Sequence, residues 1–179
     1  MDHLSQILGK NKQNAPKHFA KGTILQHAGD DCDKVYLVKS GLLKSYTIDA
    51  KGKEHIFIFA PEGWIITDIE SMQAEAKAEL FIETIEDSEL VVINRKEVVA
   101  EGLSEEGYKK MTDTLFRRLG VMQRRLIMMM SATAQERYEY FLDTYPALPN
   151  RVPQRMIASY LGITPEALSK IRGKMARKV

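Results

Sequence analysis

Near residue 104 the spacing of apolar residues changes period, and that change limits the folds open to the chain. Between residues 17 and 93 the apolar residues come in short runs: KVYLVKSG, LLKSYTID, EHIFIFAPEG, ELFIETIED and ELVVIN. These runs are rich in β-branched and aromatic side chains, which suit a pleated surface. Turn signals separate them at AGDD, KSG, DAKGK, PEG and EDS. Strands recurring about every ten residues, with no long helix between them, predict an antiparallel sandwich or barrel. The stretch DIESMQAEAKAE, residues 68–79, interrupts the pattern and reads as a short helix or ordered loop.

Beyond Ser104 the period becomes helical. Leu115, Leu119, Met122, Leu126 and Met129 follow steps of four, three, four and three, a heptad seam. Arg117, Arg118, Gln123, Arg124 and Arg125 fall off it. Long polar flanks leave one narrow stripe to bury, which suits the matching helix of a second copy. A helix packed on its own domain is the alternative. Met128, Met129 and Met130 cannot all face one seam, so at least one is expected against the strands or the last element. A further helix is expected from about Thr133 to Tyr145. Pro146, Pro149 and Pro153 then stop it and stiffen the connection.

The last element reads as two helices joined by a turn. Pro153 can open the first, because its missing N–H would be unpaired there. Ile157 and Leu161 share a face, Ala158 is small where another helix must cross, and Gly162 can adopt the left-handed conformation that ends a helix. Ile163 plugs the turn. Thr164 is a good N-cap for the second helix, with Pro165 in its first turn. At about 100° per residue, Leu168, Ile171 and Met175 fall opposite Glu166. Glu166, Ser169, Lys170, Gly173 and Arg177 cluster on the other side. A helix that enters a major groove needs this division, one side docked and the other offering donors and acceptors.

Charge points the same way. Residues 151–179 carry seven basic side chains and one acid, Glu166, whereas the remainder carries 19 basic and 23 acidic. A basic end on an acidic body predicts a polyanionic partner for that end. No apolar run approaches the roughly 18 residues of a membrane span. The first residues lack the apolar core of a secretory signal. Cys32 is the single cysteine, which excludes a disulfide framework and a four-thiolate iron–sulfur or zinc site. Its acidic neighbours should raise its thiol pKa and disfavour a redox switch. The four histidines, His3, His18, His27 and His55, show no metal-ligand spacing. No arrangement of carboxylates suggests acid–base catalysis. We therefore expect a cytoplasmic protein that is not an enzyme, with no metal and no cofactor.

With both halves placed, the chain resembles the Crp/Fnr superfamily of bacterial transcription regulators over nearly its whole length. Gly22, Gly29, Gly41, Gly52 and Gly63 fall at the usual turn glycines of the cyclic-nucleotide-binding roll. The heptad helix resembles the family's dimer helix, and residues 133–179 resemble its reader. The resemblance implies an α+β fold: an N-terminal antiparallel, jelly-roll-like β-roll (1–103), a long dimerisation helix (104–131) and a C-terminal helix-turn-helix (132–179). It implies a homodimer on double-stranded DNA, with RNA polymerase as a further partner. Glu166 matches a base-contact position and Lys170 a position that is often Arg, with Ser169 beside them. Thr164, Arg172, Lys174 and Arg177 suit phosphates. The family's usual C-terminal β-wing is not expected here, which would make binding depend more on dimerisation.

The same resemblance places an effector pocket at Trp64, Thr67, Asp68, Ala78 and Glu79. Nucleotide-binding relatives use an acid for the ribose and an Arg followed by Ser or Thr for the cyclic phosphate. Here Asp68 stands at the acidic position, Ala78 replaces the Arg and Glu79 the hydroxyl residue. A carboxylate beside a phosphate is repelled by on the order of 1–4 kcal/mol at intermediate dielectric. Cyclic AMP and cyclic GMP are therefore not expected to bind in the usual way, and the effector is unassigned. Trp64 reads more simply as core than as a ligand platform. The rival reading is a sensor or interaction module whose shortened helix pair no longer binds DNA.

Overall fold

The structure, a computed structural model, describes residues 15–94 and 105–177. The expected boundary at 103/104, His3 and Lys178 lie outside the described residues. The first half forms strands β1 (Lys17–Phe19), β2 (Ile24–Gln26), β3 (Lys34–Ser40), β4 (Leu43–Ile48), β5 (Glu54–Ala60), β6 (Ile65–Ile66), β7 (Phe81–Thr84) and β8 (Ser88–Asn94). They make two antiparallel sheets in the orders β1-β8-β3-β6 and β2-β7-β4-β5. The alternation of β3 and β8 drives this closure. Tyr36, Val38 and Leu90, with Ile66 of the same sheet, turn into a core with Leu43, Ala60 and Ile82 of the facing sheet, while Leu37, Val91 and Ile93 line the other face.

The turn glycines behave as their positions demand. Gly22, Gly29, Gly41, Gly52 and Gly63 all have positive φ. At Gly41 (φ 92°) a side chain would also collide with backbone, since a Cβ would lie 2.7 Å from the Asp87 carbonyl oxygen. The interrupting stretch is a short helix, α1 (Ile69–Gln73), with Asp68 as N-cap.

The second half is helical: α2 (Glu105–Ser131), α3 (Ala134–Thr144), a 3-10 turn (Leu148–Asn150), α4 (Gln154–Leu161) and α5 (Pro165–Ala176). This is the α+β order that the change of period predicts. Thr133 and Glu136 form a capping box at the start of α3, and Tyr145 closes it. Pro153 is the N-cap of α4 rather than its first residue. Its carbonyl accepts from the N–H groups of Met156 and Ile157.

The helices do not stand apart from the roll. Leu42, Tyr46, Ile56, Phe59 and Ile85 of the roll share one buried cluster with Phe141, Tyr145, Ile157, Tyr160 and Leu168 of the helical half. Phe59 meets Tyr160 at 5.4 Å and Phe141 at 6.4 Å between ring centroids. At the edge strand β5, Ser159 Oγ donates to the Glu54 carbonyl (2.8 Å) and accepts from the Ile56 N–H (3.0 Å). The exposed edge of the sheet is thus covered by α4, a standard way to blunt an open strand.

Candidate nucleic-acid interface

The turn between α4 and α5 is built from backbone geometry. Gly162 takes φ 67°, ψ 34°. Its N–H reaches the Ser159 carbonyl (3.1 Å), and the Ile163 N–H reaches Ala158 (3.0 Å). This is a Schellman closure, which needs a left-handed residue at the glycine. Thr164 then caps α5, its Oγ1 accepting from the Ala167 N–H at 3.2 Å. Little freedom remains between the two helices.

Helix α5 divides as its sequence implies. Leu168 is fully buried, and Ile171 and Met175 pack partly buried on the shared core. Thr164, Glu166, Ser169, Lys170, Gly173, Lys174 and Arg177 are exposed, and Arg172 is half-buried on the flank. Glu166 is held below the ordinary glutamate range, first by its own backbone N–H at the helix start, then by Thr164 and Lys170. It is therefore an ionised acceptor at neutral pH. The Thr164 oxygen serves as a cap, but its O–H remains a donor. One side of α5 thus offers an acid, hydroxyls and cations to solvent while the other anchors it.

Not every basic residue of this region points outward. Arg151 donates to Glu62 (2.9 and 2.7 Å), to Glu86 (3.1 and 2.7 Å) and to the Gly41 carbonyl (3.1 Å). It ties the linker to the roll and adds nothing to an outward cationic face. Counting charges along the chain misses this, because Glu62 lies 89 residues away.

Helix α2 leaves an apolar stripe uncovered. Leu115, Leu119 and Leu126 are 51%, 59% and 61% exposed, and Met122 is half-buried. Tyr108 and Met130 lie on the same stripe, with Phe116 and Ile127 at its margin, and all four are exposed. Tyr108 extends the seam by one heptad and the other three widen it, and their helical spacing is the signal that marks them. Met129, placed on the seam by spacing, also turns toward the α4–α5 turn. Its Sδ accepts from Arg137 at 3.5 Å, and its Cε would lie 2.8 Å from a Cβ added at Gly162.

On another side of α2, Arg125 is turned inward. Its guanidinium donates to the carbonyls of Phe57, Ile56 (3.1 Å) and Tyr160 (2.9 Å), and lies 4.1 Å from the Tyr160 ring centroid. Burial lowers its pKa from the ordinary arginine value, without threatening its charge.

The corner expected to hold an effector gathers Thr67, Asp68, Ala78 and Glu79, but its polar groups are engaged. Asp68 is buried, and its carboxylate accepts from the N–H groups of Ser71 (3.3 Å), Glu79 (2.8 Å) and Leu80 (3.0 Å). Thr67 donates to the Lys34 carbonyl (2.9 Å). Ala78 is buried, and its N–H and C=O pair with Asp30 and Gly29. Glu79 is exposed, and Lys77 is paired with Asp31 at 2.6 Å. Trp64 packs toward Tyr145, at 6.0 Å between centroids. The Cys32 thiol is pushed up chiefly by burial and then by the Asp68 charge, with Asp33 a minor contributor. Among the described residues, no group of three His, Cys, Asp or Glu side chains could hold a metal ion. No described helix is long and apolar enough to cross a membrane.

The fold thus combines an antiparallel β-roll, one long helix and a C-terminal helix-turn-helix. Residues 16–101 match the cyclic nucleotide-binding domain family. The chain is 23% identical to the fumarate and nitrate reduction regulatory protein of Escherichia coli K12, and 26% to that of Vibrio cholerae. Each alignment takes in 99% of this chain and 73% of the relative. Among solved structures it is similar to FixK2 from Bradyrhizobium japonicum, with TM-score 0.74, 21% identity, and coverage of 92% of this chain and 86% of that one. A CRP/FNR family regulator from Thermus thermophilus gives TM-score 0.73 at 18% identity, covering 92% and 87%. The chain thus carries a match to the cyclic nucleotide-binding domain family and is similar, over nearly its whole length, to transcription regulators of the Crp/Fnr type.

Proposed function

We propose that the protein is a homodimeric, sequence-specific regulator that reads double-stranded DNA with the outward face of α5. One observation carries this reading. Glu166, Ser169, Lys170, Lys174 and Arg177 are exposed on a helix whose other side is anchored by Leu168. Glu166 would accept from a cytosine amino group, and Lys170 would donate to guanine as a point charge. Thr164, Arg172, Lys174 and Arg177 would hold phosphates and set register. The stripe Leu115, Leu119, Met122 and Leu126, with Met130, would pair with its copy in a second chain. Two readers on that axis would meet half-sites about 34 Å apart. In this reading residues 1–103 are the effector roll, 104–131 the dimer helix and 132–179 the reader, with RNA polymerase as a further partner.

The roll would take an effector other than a cyclic nucleotide held in the usual way. The engagement of Asp68 with three backbone N–H groups supports this, since a ribose hydroxyl would have to compete with them.

Equilibrium binding to random duplex DNA over a range of salt tests the proposal. Wild-type affinity should fall linearly with salt on a double-logarithmic plot. Changing Lys170, Arg172 and Lys174 together to Ala should abolish measurable binding near physiological salt. At low salt it should reduce the slope by roughly one for each phosphate that these side chains neutralise. Equal binding by both proteins, or none by the wild type, would refute the assignment of α5.

A further inference from the structure

Helix α4 is short, and although the Schellman closure takes up the Ala158 and Ser159 carbonyls, those of Tyr160 and Leu161 are left to other elements. Two arginines from other helices meet them. Arg125 of α2 donates to Tyr160 O and Arg137 of α3 donates to Leu161 O (2.8 Å). Cations at a helix C-terminus are also favoured by its dipole. Arg125 does more than cap. The same guanidinium holds the Ile56 and Phe57 carbonyls at the edge of the roll and stacks on the Tyr160 ring. One planar group therefore joins the dimer helix, the roll and the end of α4. Beyond that end the Schellman closure at Gly162 and the Thr164 cap leave little slack, so the direction of α5 follows from how α4 is held, by Ser159 and the shared core along its length and by Arg125 at its end.

Arg125 also lies about 120° round α2 from Leu119 and about 100° from Leu126, at the Met122 side of the stripe and turned away from its centre. The group that aims the reader and the surface proposed to meet a second copy thus share one helix without competing. We propose that Arg125 is a positioning residue that fixes the orientation of each reader relative to the dimer axis, and so sets the half-site spacing the dimer accepts. This inference rests on the DNA-binding dimer described above. Each added base pair moves the second half-site by about 3.4 Å and turns it by about 35°. A reader whose Tyr160 carbonyl is tied through one guanidinium to α2 and to the Ile56 and Phe57 carbonyls of the roll cannot follow that rotation, whereas a loosely held one can. Lysine cannot replace the arginine, because an ammonium has neither the planar fork nor the stacking face.

The test uses the full chain and inverted repeats of the half-site that the wild type selects, with centre-to-centre spacing varied one base pair at a time. The wild type should prefer one spacing by about tenfold over its neighbours, a loss of ~1.4 kcal/mol per misfitting step. Arg125→Lys and Arg125→Ala should flatten that profile to within about threefold, with the same half-site sequence and unchanged affinity for a single half-site. An unchanged spacing profile, or an equal loss on single half-sites, would overturn the proposal. A second measurement needs no DNA. Spin labels at Lys170→Cys and Lys39→Cys, in a Cys32→Ala background, report the distance between reader and roll. Arg125→Lys should broaden its distribution, and an unchanged width would overturn the positioning role. Arg125→Lys keeps the charge and stem, so it carries both tests if Arg125→Ala fails to fold. A wild type that binds DNA without half-site preference would instead refute the dimeric-reader assignment, while the label distances still decide whether Arg125 holds the reader.

Discussion

The corner of the roll around Asp68 and the outward face of α5 are both polar, yet their polarity has opposite uses. At the corner the carboxylate is buried and spends its oxygens on the backbone of residues 71, 79 and 80. On α5, Glu166 and Lys170 are exposed, and the fold gains its anchoring from Leu168. The difference teaches that polar character alone does not mark a binding site. What matters is whether neighbouring backbone already satisfies the group. Substitutions at the corner should therefore cost stability, and substitutions on α5 should cost recognition.

The largest effect is expected at Asp68. Asp68→Ala removes the acceptor of three backbone donors, the buried N-cap partner of α1 and two part-buried ones, and should destabilise the protein by about 2–3 kcal/mol in urea unfolding. A change below about 1 kcal/mol would mean that the corner is open to water and available to a ligand. Arg151 supplies an intermediate case, a reader-side cation turned onto the roll. Hydrogen bonding to Arg151 holds Glu62 below the ordinary glutamate range. A depressed folded-state pKa gives stability that is present above the unfolded value near 4.3, and lost as pH falls through the folded value. Arg151→Met should therefore lower stability at pH 7 by at most ~1 kcal/mol, the pair being partly exposed, and flatten its decline below about pH 5.

At the small end, Glu166→Ala with Lys170→Ala should leave unfolding within about 0.5 kcal/mol of wild type. A larger loss would make that face structural. Millimolar cyclic AMP should leave the melting temperature unchanged. A saturable rise would show the Asp68 contacts giving way to a nucleotide, since a ligand of the native state alone stabilises it by mass action.

How much was legible in the sequence follows from how local each determinant is. The turn glycines and the Gly162–Thr164 junction depend on a few adjacent residues, so spacing and residue type were enough to place them. The division of α5 is likewise a property of one helix. Arg125 was legible only as a residue off the heptad seam. Its inward turn depends on carbonyls of Ile56 and Phe57 more than 65 residues away. The same holds for Arg151, whose charge looks available until the fold brings Glu62 and Glu86 beside it. The joining of roll and helices into one core was hidden for a related reason. Leu42, Tyr46, Ile56 and Phe59 read as ordinary apolar residues in or beside strands, and nothing local says which element covers them.

The most direct measurement is selection of bound duplexes from a random pool at fixed salt. If paired copies of α5 read DNA, the recovered sequences share an inverted repeat with about 10 bp between half-site centres. Recovery of isolated single sites, or of sequences with no common element, would contradict the account.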